Sequence, residues 1–465
     1  MYRFGKSIDQ WLRQLRLCML LCGMIVLVHL YPGKSHVRTN WTALLHPVSQ
    51  HTAIAPPLPG QTINMQPATA QVIDASNTFG FQLYQQLSRD DLSKNLFISP
   101  FSISSAFAMA YNGANGRTKS ELAKTLGWQS TSLEALNASY QDISRQLHPL
   151  SKSASIEQAN GLVAQQGEPL KSDFMQRCQD CFQADLATVD FIRQEAEARR
   201  WINSWGEQKT HGKIKTMLSE PLNFETRLVL INALYFKDNW RRAFYPWRTK
   251  AAPFTCGDGS TKTVPLMEQS GEYSYIQTDQ FQAIRLPYSE PGYTMDIYLP
   301  AKRRDLATFA KQCTSAQWLR WQQQFKVRGG TIRLPRFKAD YHLDLKHTLM
   351  RMGMQDPFSS GADFSGITNG QLFINNVFHR ATLDVFEKGT EAAAATAIVM
   401  TKGDGLPGAD PFTMTVDHPF FFAIRANDGT ILFLGSIADP QPLEVTYQEA
   451  PKFRHRMPLA PRPNH

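Results

Sequence analysis

The distribution of apolar residues changes along the chain. Before residue 210 they mostly recur every three or four positions, as in amphipathic helices, whereas beyond residue 228 they form short runs or alternate with polar residues, as in strands. The helical pattern covers residues 74–87, 100–111, 118–126, 132–147, 171–181 and 195–208. The strand pattern covers residues 95–98, 228–236, 293–300, 330–334, 371–377, 381–386, 420–424 and 430–434.

Two short signals indicate where elements begin and turn. Ser99 before Pro100 predicts a helix start, because serine caps a helix and proline suits its first position. Asn427, Asp428 and Gly429 separate the last two apolar runs and predict a hairpin. Since helices come first, strands follow and neither a repeat nor a regular strand–helix alternation is present, we expect one large α/β mixed domain with antiparallel or mixed sheets.

The two ends of the chain differ from its middle. Arg13 and Arg16 precede an apolar stretch at 17–28, a pattern typical of a secretory signal or, when uncleaved, of an amino-terminal membrane anchor. We assign 1–44 to a signal peptide or anchor with a basic flank, 45–72 to a proline-rich linker, 73–441 to the folded domain and 442–465 to a basic, proline-rich tail. This organisation predicts a secreted or extracytoplasmic protein, either released or tethered to the membrane.

Composition and charge narrow the class of function. The 465 residues are 42% hydrophobic and 11% aromatic, which is ordinary for a globular protein. Most of the net charge of +9 lies in the two ends rather than in the folded part. A nucleic-acid-binding protein would concentrate this charge on a folded face, so we expect no nucleic-acid partner.

Sequence signatures of catalysis and metal binding are absent. The chain has no nucleophile elbow, zinc-protease helix or phosphate-binding loop motif. Cys178 and Cys181 form a Cys-x-x-Cys pair without a second pair at zinc-site spacing, so we expect ordinary thiols or a local disulfide near a helix end. We predict a protein that is not an enzyme and that binds neither a metal ion nor a cofactor.

One segment between two predicted strands combines properties of helix and strand. Residues 387–400 contain four consecutive alanines, which favour a helix, followed by β-branched residues, which favour a strand. As a strand, the segment has one uncharged face, which consists of Thr390, Ala392, Ala394, Thr396, Ile398 and Met400. Such a face can enter a sheet at low desolvation cost, and Gly389 supplies a pivot. The segment is either a conformational switch or a small-residue surface loop.

Several blocks of this sequence resemble the serpin family of protease inhibitors, in the family's order. They are Asn-Leu-Phe-Ile-Ser-Pro-Phe-Ser from Asn95, Trp-Ile-Asn-Ser-Trp from Trp201, Leu-Ile-Asn-Ala-Leu-Tyr-Phe-Lys-Asp-Asn-Trp from Leu230, Leu-Pro-Arg-Phe from Leu334 and Asp-His-Pro-Phe-Phe-Phe-Ala-Ile from Asp417. The resemblance covers residues 73–441 and leaves both ends unexplained. It implies a fold of three β-sheets and about nine helices with an exposed reactive-centre loop.

The resemblance also implies that the chain inhibits a serine-type endopeptidase as a suicide substrate. The protease attacks the loop and forms an acyl-enzyme, and the cut loop then inserts as a new central strand of the main sheet. About thirteen inserted residues span roughly 43 Å at about 3.3 Å each, which carries the tethered protease to the opposite pole. The energy comes from relaxation of a metastable sheet.

The matching motifs assign three groups of residues. The hinge comprises Glu387, Gly389, Thr390, Glu391, Ala392, Ala393, Ala394 and Ala395. The sheet-opening region comprises Ser99, Ser102, Asn232 and His379, whose hydrogen bonds would hold the main sheet shut. The third group is an ion pair of Arg336 with Glu387 that steadies the top of the sheet. Without the resemblance, ordinary buried hydrogen bonding would explain these polar residues equally well.

The bond that the protease cleaves has two candidate positions. Counting along the family pattern from Glu387 reaches Gly403, which Asp404 follows. Lys402, one residue earlier, suits the acidic pocket of trypsin-like proteases better. The segment up to Pro419 is also longer than the family pattern. We therefore place the bond between Lys402 and Gly403, and the bond between Gly403 and Asp404 second.

Two other functions stay open at this point. A non-inhibitory serpin acting as a carrier, chaperone or binding module would carry a bulky or charged residue at 390 or prolines within 392–397, and this chain has neither. A membrane-tethered adaptor is suggested by the apolar segment at 17–28 alone. For the inhibitor, we expect a monomer whose partner is a trypsin-like serine protease or, as the second option, a cysteine protease.

Overall fold

The computed structural model describes residues 65–147, 149, 154–302, 306–390 and 410–443. This part of the chain contains nine α-helices and fifteen strands. The helices are α1 (Pro67–Leu87), α2 (Pro100–Tyr111), α3 (Gly116–Leu126), α4 (Leu133–Gln146), α5 (Ser172–Phe182), α6 (Glu195–Lys209), α7 (Leu306–Gln312), α8 (Ser315–Gln322) and α9 (Lys346–Arg351).

The strands follow mostly in the second half of the chain, as the apolar pattern predicts. They are β1 (Leu96–Ile98), β2 (Ser155–Gln165), β3 (Asp185–Val189), β4 (Leu228–Asn239), β5 (Lys250–Thr255), β6 (Thr261–Gln277), β7 (Phe281–Pro287), β8 (Thr294–Pro300), β9 (Lys326–Pro335), β10 (Phe337–Asp344), β11 (Asn376–Phe386), β12 (Gly389–Thr390), β13 (Phe412–Thr415), β14 (Phe420–Arg425) and β15 (Ile431–Ile437). The mixed α/β class and the helix count of about nine agree with the sequence-based expectation.

Six strands form the main sheet, in the order β10-β11-β12-β4-β2-β3. β4 lies inside this sheet, and its residues from Leu228 to Phe236 are all buried, as an unbroken apolar run predicts. Its even-numbered residues pack on the large core of the molecule: Leu228, Leu230, Leu234 and Phe236. Its odd-numbered residues pack on a second, smaller core shared with α6: Val229, Ile231 and Ala233. The two faces of the sheet are therefore both covered.

The other nine strands form a second sheet, which β6 divides into two parts. β6 pairs with β5 and β9 along most of its length and with β7 at its end. The three expected sheets thus appear as one separate sheet and two sheets joined through β6. Phe97 of β1 stacks on Phe422 and Phe433 of β14 and β15, with ring centroids 5.6 and 5.0 Å apart. These rings fix β1 against the last hairpin in the core.

The limits of α1 and β11 differ from those predicted. α1 begins at Pro67, inside the stretch assigned to the linker and before the predicted start at 74, because Thr69 and Val72 are already buried. The prediction of two separate strands at 371–377 and 381–386 is wrong, because residues 376–386 form one strand, β11. Asn375 lies just before β11, and its side-chain oxygen accepts a hydrogen bond of 2.7 Å from the amide of Arg227, the residue before β4.

The last hairpin confirms its sequence-based prediction. Gly429 has a φ of 91°, a backbone conformation that favours glycine, at the turn between β14 and β15. The carboxylate of Asp428 accepts hydrogen bonds from the amide and hydroxyl of Thr430, at 2.8 and 2.9 Å. These contacts close the turn between the two strands.

None of the helices in the described ranges is both long and apolar enough to cross a membrane. The apolar stretch at 17–28, most of the linker and most of the carboxyl-terminal tail lie outside those ranges. The predictions of a signal or anchor, of a secreted location and of the domain limits at the two ends stay predictions.

Candidate functional site

The hinge lies where β11 ends and the chain turns back into the main sheet. Glu387 and Lys388 form the turn, and β12 returns antiparallel to β11. Gly389 of β12 lies so close to β4 that a Cβ atom at this position would be 2.2 Å from the carbonyl oxygen of Asp238. A residue with a side chain would therefore push β12 out of the sheet, and the glycine that the sequence marks as a pivot is needed for this close approach.

Glu387 is fully buried, and its carboxylate is held on several sides. Arg336 donates from Nε to both carboxylate oxygens at 2.8 and 2.9 Å, and from Nη2 to Oε1 at 2.6 Å. The hydroxyl of Thr249 also donates to Oε1, at 2.5 Å, and the backbone carbonyl of Glu387 accepts from the amide of Phe244 at 2.8 Å. The structure thus places Arg336 and Glu387 in the expected ion pair. The pair lies at the top of the main sheet, the end at which β4 and β11 finish.

Trp240 and Tyr288 clamp the chain on either side of Glu387. The indole nitrogen of Trp240 donates to the carbonyl oxygen of Phe386 at 2.9 Å. The backbone amide of Trp240 donates to the carbonyl oxygen of Lys388 at 2.7 Å. The ring of Trp240 stacks on Tyr288, with centroids 4.5 Å apart. The hydroxyls of Tyr288 and Thr390 are hydrogen-bonded at 2.8 Å, both buried. Thr390 is therefore anchored inside the protein.

The two strands next to β12 are paired in part and separated in part. β4 and β11 are parallel and pair directly over residues 229–234 and 376–381. Beyond these pairs, at the carboxyl-terminal ends of the two strands, β12 lies between them and is antiparallel to both. In the described ranges, residues 235–237 of β4 and 382–384 of β11 have no ladder pairs with each other or with β12. The sheet thus parts between its lower pairs and the hinge.

The polar residues of the predicted sheet-opening region meet below this gap. His379 Nε2 accepts from the amide of Ser99 at 3.1 Å, and its Nδ1 lies 3.1 Å from the Oδ1 of Asn232. The Nδ2 of Asn232 donates to the carbonyl oxygen of Ser102 at 2.9 Å and to the Oδ1 of Asn160 at 2.7 Å. All four predicted residues are brought together, and they join β4 and β11 to the start of α2.

These contacts define the protonation of His379. Since Asn232 uses its amide nitrogen as a donor, its oxygen accepts, and Nδ1 of His379 carries the proton. Nε2 is then an acceptor for Ser99, so the ring is neutral. Burial without a carboxylate partner lowers the pKa of His379 to about 3.

Ser99 and Ser102 contact Asn232 and His379 through their backbone rather than through their hydroxyls. The hydroxyl of Ser99 instead accepts from the amide of Ser102 at 3.3 Å and caps α2, as predicted. The hydroxyl of Ser102 is buried and has no hydrogen-bond partner within the described part of the chain.

The far end of the loop is fixed on the second sheet. β13 pairs in parallel with β9, Phe412 beside Gly330. The ring of Phe412 stacks on Tyr275 with centroids 3.8 Å apart, and the Nη2 of Arg328 donates to the carbonyl oxygen of Asp410 at 2.9 Å. The nineteen residues 391–409 between the two anchors lie outside the described ranges.

Part of the predicted site falls on that segment, and part of the observed site was not predicted. The predicted residues outside the described ranges are Glu391, Ala392, Ala393, Ala394, Ala395, Lys402, Gly403 and Asp404. Sequence reasoning missed Tyr288, Thr249 and Asn160, because each contacts the site across more than seventy residues of chain. Trp240 closes the block that carries Asn232, and this adjacency is the signal that could have identified it.

The cysteine pair singled out in the sequence lies away from the hinge, on α5. Cys178 and Cys181 are free thiols of α5, and burial raises the pKa of Cys178 to about 12, which makes it unreactive. No group of His, Cys, Asp and Glu side chains suited to a metal ion occurs among the residues that the structure describes.

A family model and the sequences of known proteins agree on one family for this chain. A family model described as serpin (serine protease inhibitor) matches residues 74–440. Human leukocyte elastase inhibitor is 36% identical over 382 residues, which cover 80% of this chain and 100% of the relative. A serpin-like protein of Thermococcus kodakarensis is 34% identical over 410 residues, covering 87% of this chain and 93% of the relative.

Solved structures agree with the sequence comparison. Human thyroxine-binding globulin in complex with thyroxine is 27% identical with a TM-score of 0.75, over 80% of this chain and 100% of that chain. The thermophilic serpin tengpin in its native state is 27% identical with a TM-score of 0.73, over 81% and 95% of the two chains. Sequence blocks, hinge geometry and both comparisons lead to one conclusion: this chain belongs to the serpin family.

Proposed function

We propose that this serpin inhibits a serine endopeptidase by inserting its cleaved loop between β4 and β11. The observation that carries the proposal is the position of β12. Gly389 and Thr390 already pair with both flanking strands, so the first residues of a new central strand are in place. Insertion then extends an existing ladder, and no new nucleus has to form.

The register of β12 defines how far such a strand would reach. Thr390 lies opposite Asp238, and Gly389 lies opposite Asn239. Continuing this antiparallel pairing places Met400 opposite Leu228, the first residue of β4. Residues 389–400 would thus match β4 along its whole length.

The same register assigns the two faces of the inserted strand. Residues opposite each other in an antiparallel pair share a face. The uncharged face that begins at Thr390 and ends at Met400 would lie on the side of Leu234 and Phe236, toward the large core. Glu391 would lie opposite Lys237 on the other face, where their charges attract.

This geometry supports cleavage between Lys402 and Gly403. If the strand ends at Met400, Lys402 lies just beyond the lower end of the sheet, where an acyl-linked protease could be held without entering the sheet. A lysine also suits a trypsin-like protease, which we propose as the target class, with a cysteine protease as the second option.

We further propose a secreted or extracytoplasmic monomer, either released or tethered to the membrane by the stretch at 17–28. Fractionation of expressing cells would test its location.

A non-inhibitory carrier or binding role is the alternative. It is favoured by the similarity to thyroxine-binding globulin, whose structure contains thyroxine. The two functions differ once the loop has been cleaved, because an inhibitor must trap the protease and a carrier need not.

The deciding experiment is incubation with trypsin-, chymotrypsin- and elastase-like proteases, followed by SDS gel electrophoresis. We expect an SDS-stable complex with the trypsin-like protease. The released peptide should begin at Gly403 by mass spectrometry, and a peptide beginning at Asp404 would support the second bond. Cleavage of the loop by all three proteases without any stable complex would contradict inhibition and favour the carrier.

A further inference from the structure

The segment that follows β4 carries an exposed basic and aromatic surface. We call it the loop-base patch, and it consists of Arg241, Arg242, Trp247 and Arg248. All four side chains are exposed, and Trp247 remains 63% accessible. An exposed tryptophan beside three arginines is the composition that interfaces favour and that isolated surfaces avoid.

The patch is ordered by its contacts with β6 and its neighbours. Trp247 stacks on Tyr245 with ring centroids 4.7 Å apart. The Nη1 of Arg242 donates to the carbonyl oxygen of Ser270 at 3.3 Å and lies against Gly271, where a Cβ atom would be 1.7 Å away. These contacts hold Trp247 and Arg242 in place before any partner arrives, which lowers the entropy lost on binding.

The charge of the patch is only partly balanced. Arg248 lies 3.8 Å from Glu268, but Arg333 pairs with the same carboxylate at 2.9 Å. In the described ranges, no carboxylate lies within ion-pair distance of Arg241 or Arg242. The surface therefore carries an excess of positive charge.

The patch lies between the two anchors of the loop. Arg241 follows β4 three residues after Asp238, which pairs with Thr390 at the start of the loop. At the other side, β13 pairs with residues 330–333 of β9, and Arg333 contacts Glu268 beside Arg248. The patch therefore adjoins the described residues from which the cleaved segment starts and to which it returns.

We propose that the loop-base patch is a docking surface for an acidic surface of the protease that attacks the loop. This inference rests on the proposed inhibitory function and adds a source of selectivity outside the cleaved bond. The patch attracts a negatively charged protease and raises the rate of encounter. Trp247 then supplies apolar contact area at the interface.

A protein surface fits the patch better than a long polyanion does. The basic area is short, and β6 carries two glutamates close to it in sequence: Glu268, 3.8 Å from Arg248, and Glu272, one residue beyond the Gly271 that Arg242 contacts. A linear polyanion that ran beyond the three arginines would meet these charges, whereas a compact acidic loop would not.

The test uses two probes with the same primary specificity, anionic trypsin and cationic trypsin. The variant Arg241→Ala/Arg242→Ala/Arg248→Ala should lower the association rate constant for anionic trypsin on the order of tenfold at low salt. The loss should vanish at about 0.5 M salt, where charges are screened. The rate constant for cationic trypsin should change little, and Trp247→Ala should slow anionic trypsin at both salt concentrations.

A matched control removes three exposed basic residues elsewhere, as Arg89→Ala/Lys124→Ala/Arg320→Ala, and should leave both rate constants unchanged. Equal rate constants for the patch variant and the native protein, or equal losses with both trypsins, would overturn the docking surface while leaving inhibition intact. Heparin binding that the patch variant loses, without any change in rate constants, would reassign the patch to a polyanion. Absence of an SDS-stable complex with either trypsin would overturn the trypsin-like target class on which this docking surface rests.

Discussion

Glu387 is a carboxylate without contact to solvent, so its stability depends on its partners. Arg336 and Thr249 donate side-chain hydrogen bonds to its carboxylate oxygens. A buried charge that loses its partner is more costly than an exposed one, because water cannot replace the lost contacts. The pair therefore fixes the turn from which the loop leaves.

Glu387→Gln should lower the free energy of unfolding by about 3–5 kcal/mol, because it leaves the mostly buried guanidinium of Arg336 without this counter-charge. Urea unfolding monitored by tryptophan fluorescence measures the change. The matched control is Glu268→Gln, which breaks a half-exposed pair with Arg333 and should cost less than about 1 kcal/mol. Unchanged stability, and unchanged conversion to latent or polymeric forms, would contradict a steadying role for Glu387.

His379 links the pH of the solution to the closure of the main sheet. In the folded protein its pKa is about 3, whereas an unfolded chain has a histidine pKa near 6.5. Between these values the unfolded state binds a proton that the folded state does not. The stability contributed by neutral His379 is therefore complete above about pH 6.5 and declines as the pH falls.

Unfolding measured from pH 7 to pH 4 should show this loss, up to about 1.4 kcal/mol per pH unit from this residue. His379→Gln should flatten the pH dependence, although it also lowers stability at pH 7. An exposed histidine, His347, provides the control, and His347→Gln should leave the slope unchanged. A native slope that persists in His379→Gln would show that other groups cause it.

At the scale of elements, strands with regular apolar patterns could be predicted and irregular ones could not. The apolar runs of β4 and of the last hairpin indicated their positions directly. β6 was missed because Pro265, Gly271 and polar residues interrupt its alternation, and its partners lie in distant strands. β12 could not be predicted as a strand, since its two residues pair only because β4 and β11 are already apart.

The start of the inserted strand provides a test at this scale. Thr390→Arg places a charged side chain where Thr390 is fully buried against Tyr288, which strongly disfavours insertion. The protease should then cut the loop without being trapped, so the variant behaves as a substrate and no longer as an inhibitor. Gel analysis of complex against cleaved protein measures this ratio. The control Thr261→Arg, at the exposed start of β6, should still form complexes.

A covalent link across the lower pairs should prevent insertion. Leu234 and Ala381 are ladder partners in the parallel pairing of β4 with β11. Leu234→Cys/Ala381→Cys should form a disulfide that keeps the strands together. The oxidised variant should be cleaved without complex formation, and reduction should restore the complex, so the same chain serves as its own control. Equal complex formation before and after reduction would contradict strand separation as a required step.

At the scale of the whole molecule, the site combines residues that are far apart in sequence. The resemblance to the serpin family identified the hinge, Arg336 and the residues around His379, because each matches a position of the family pattern. Tyr288, Thr249 and Asn160 joined the same network only through the fold. Their roles depend on which strands become neighbours, and that information is spread over the entire domain.

The fold also explains where the energy for inhibition would reside. Residues 235–237 and 382–384 have ladder partners on their outer sides but no ladder pairs across the gap, within the described part of the chain. A strand that entered the gap would satisfy these backbone groups and bury the uncharged face of the loop. Cleavage should therefore convert the protein to a more stable form.

Hydrogen exchange of the native and loop-cleaved proteins tests the insertion mechanism most directly. After cleavage between Lys402 and Gly403, the amides of residues 235–237 and 382–384 should become strongly protected, together with those of residues 391–400. Native protein treated identically without protease provides the reference. If the loop is cut and exchange at 235–237 and 382–384 does not change, the loop has not entered the sheet, and the proposed mechanism is wrong.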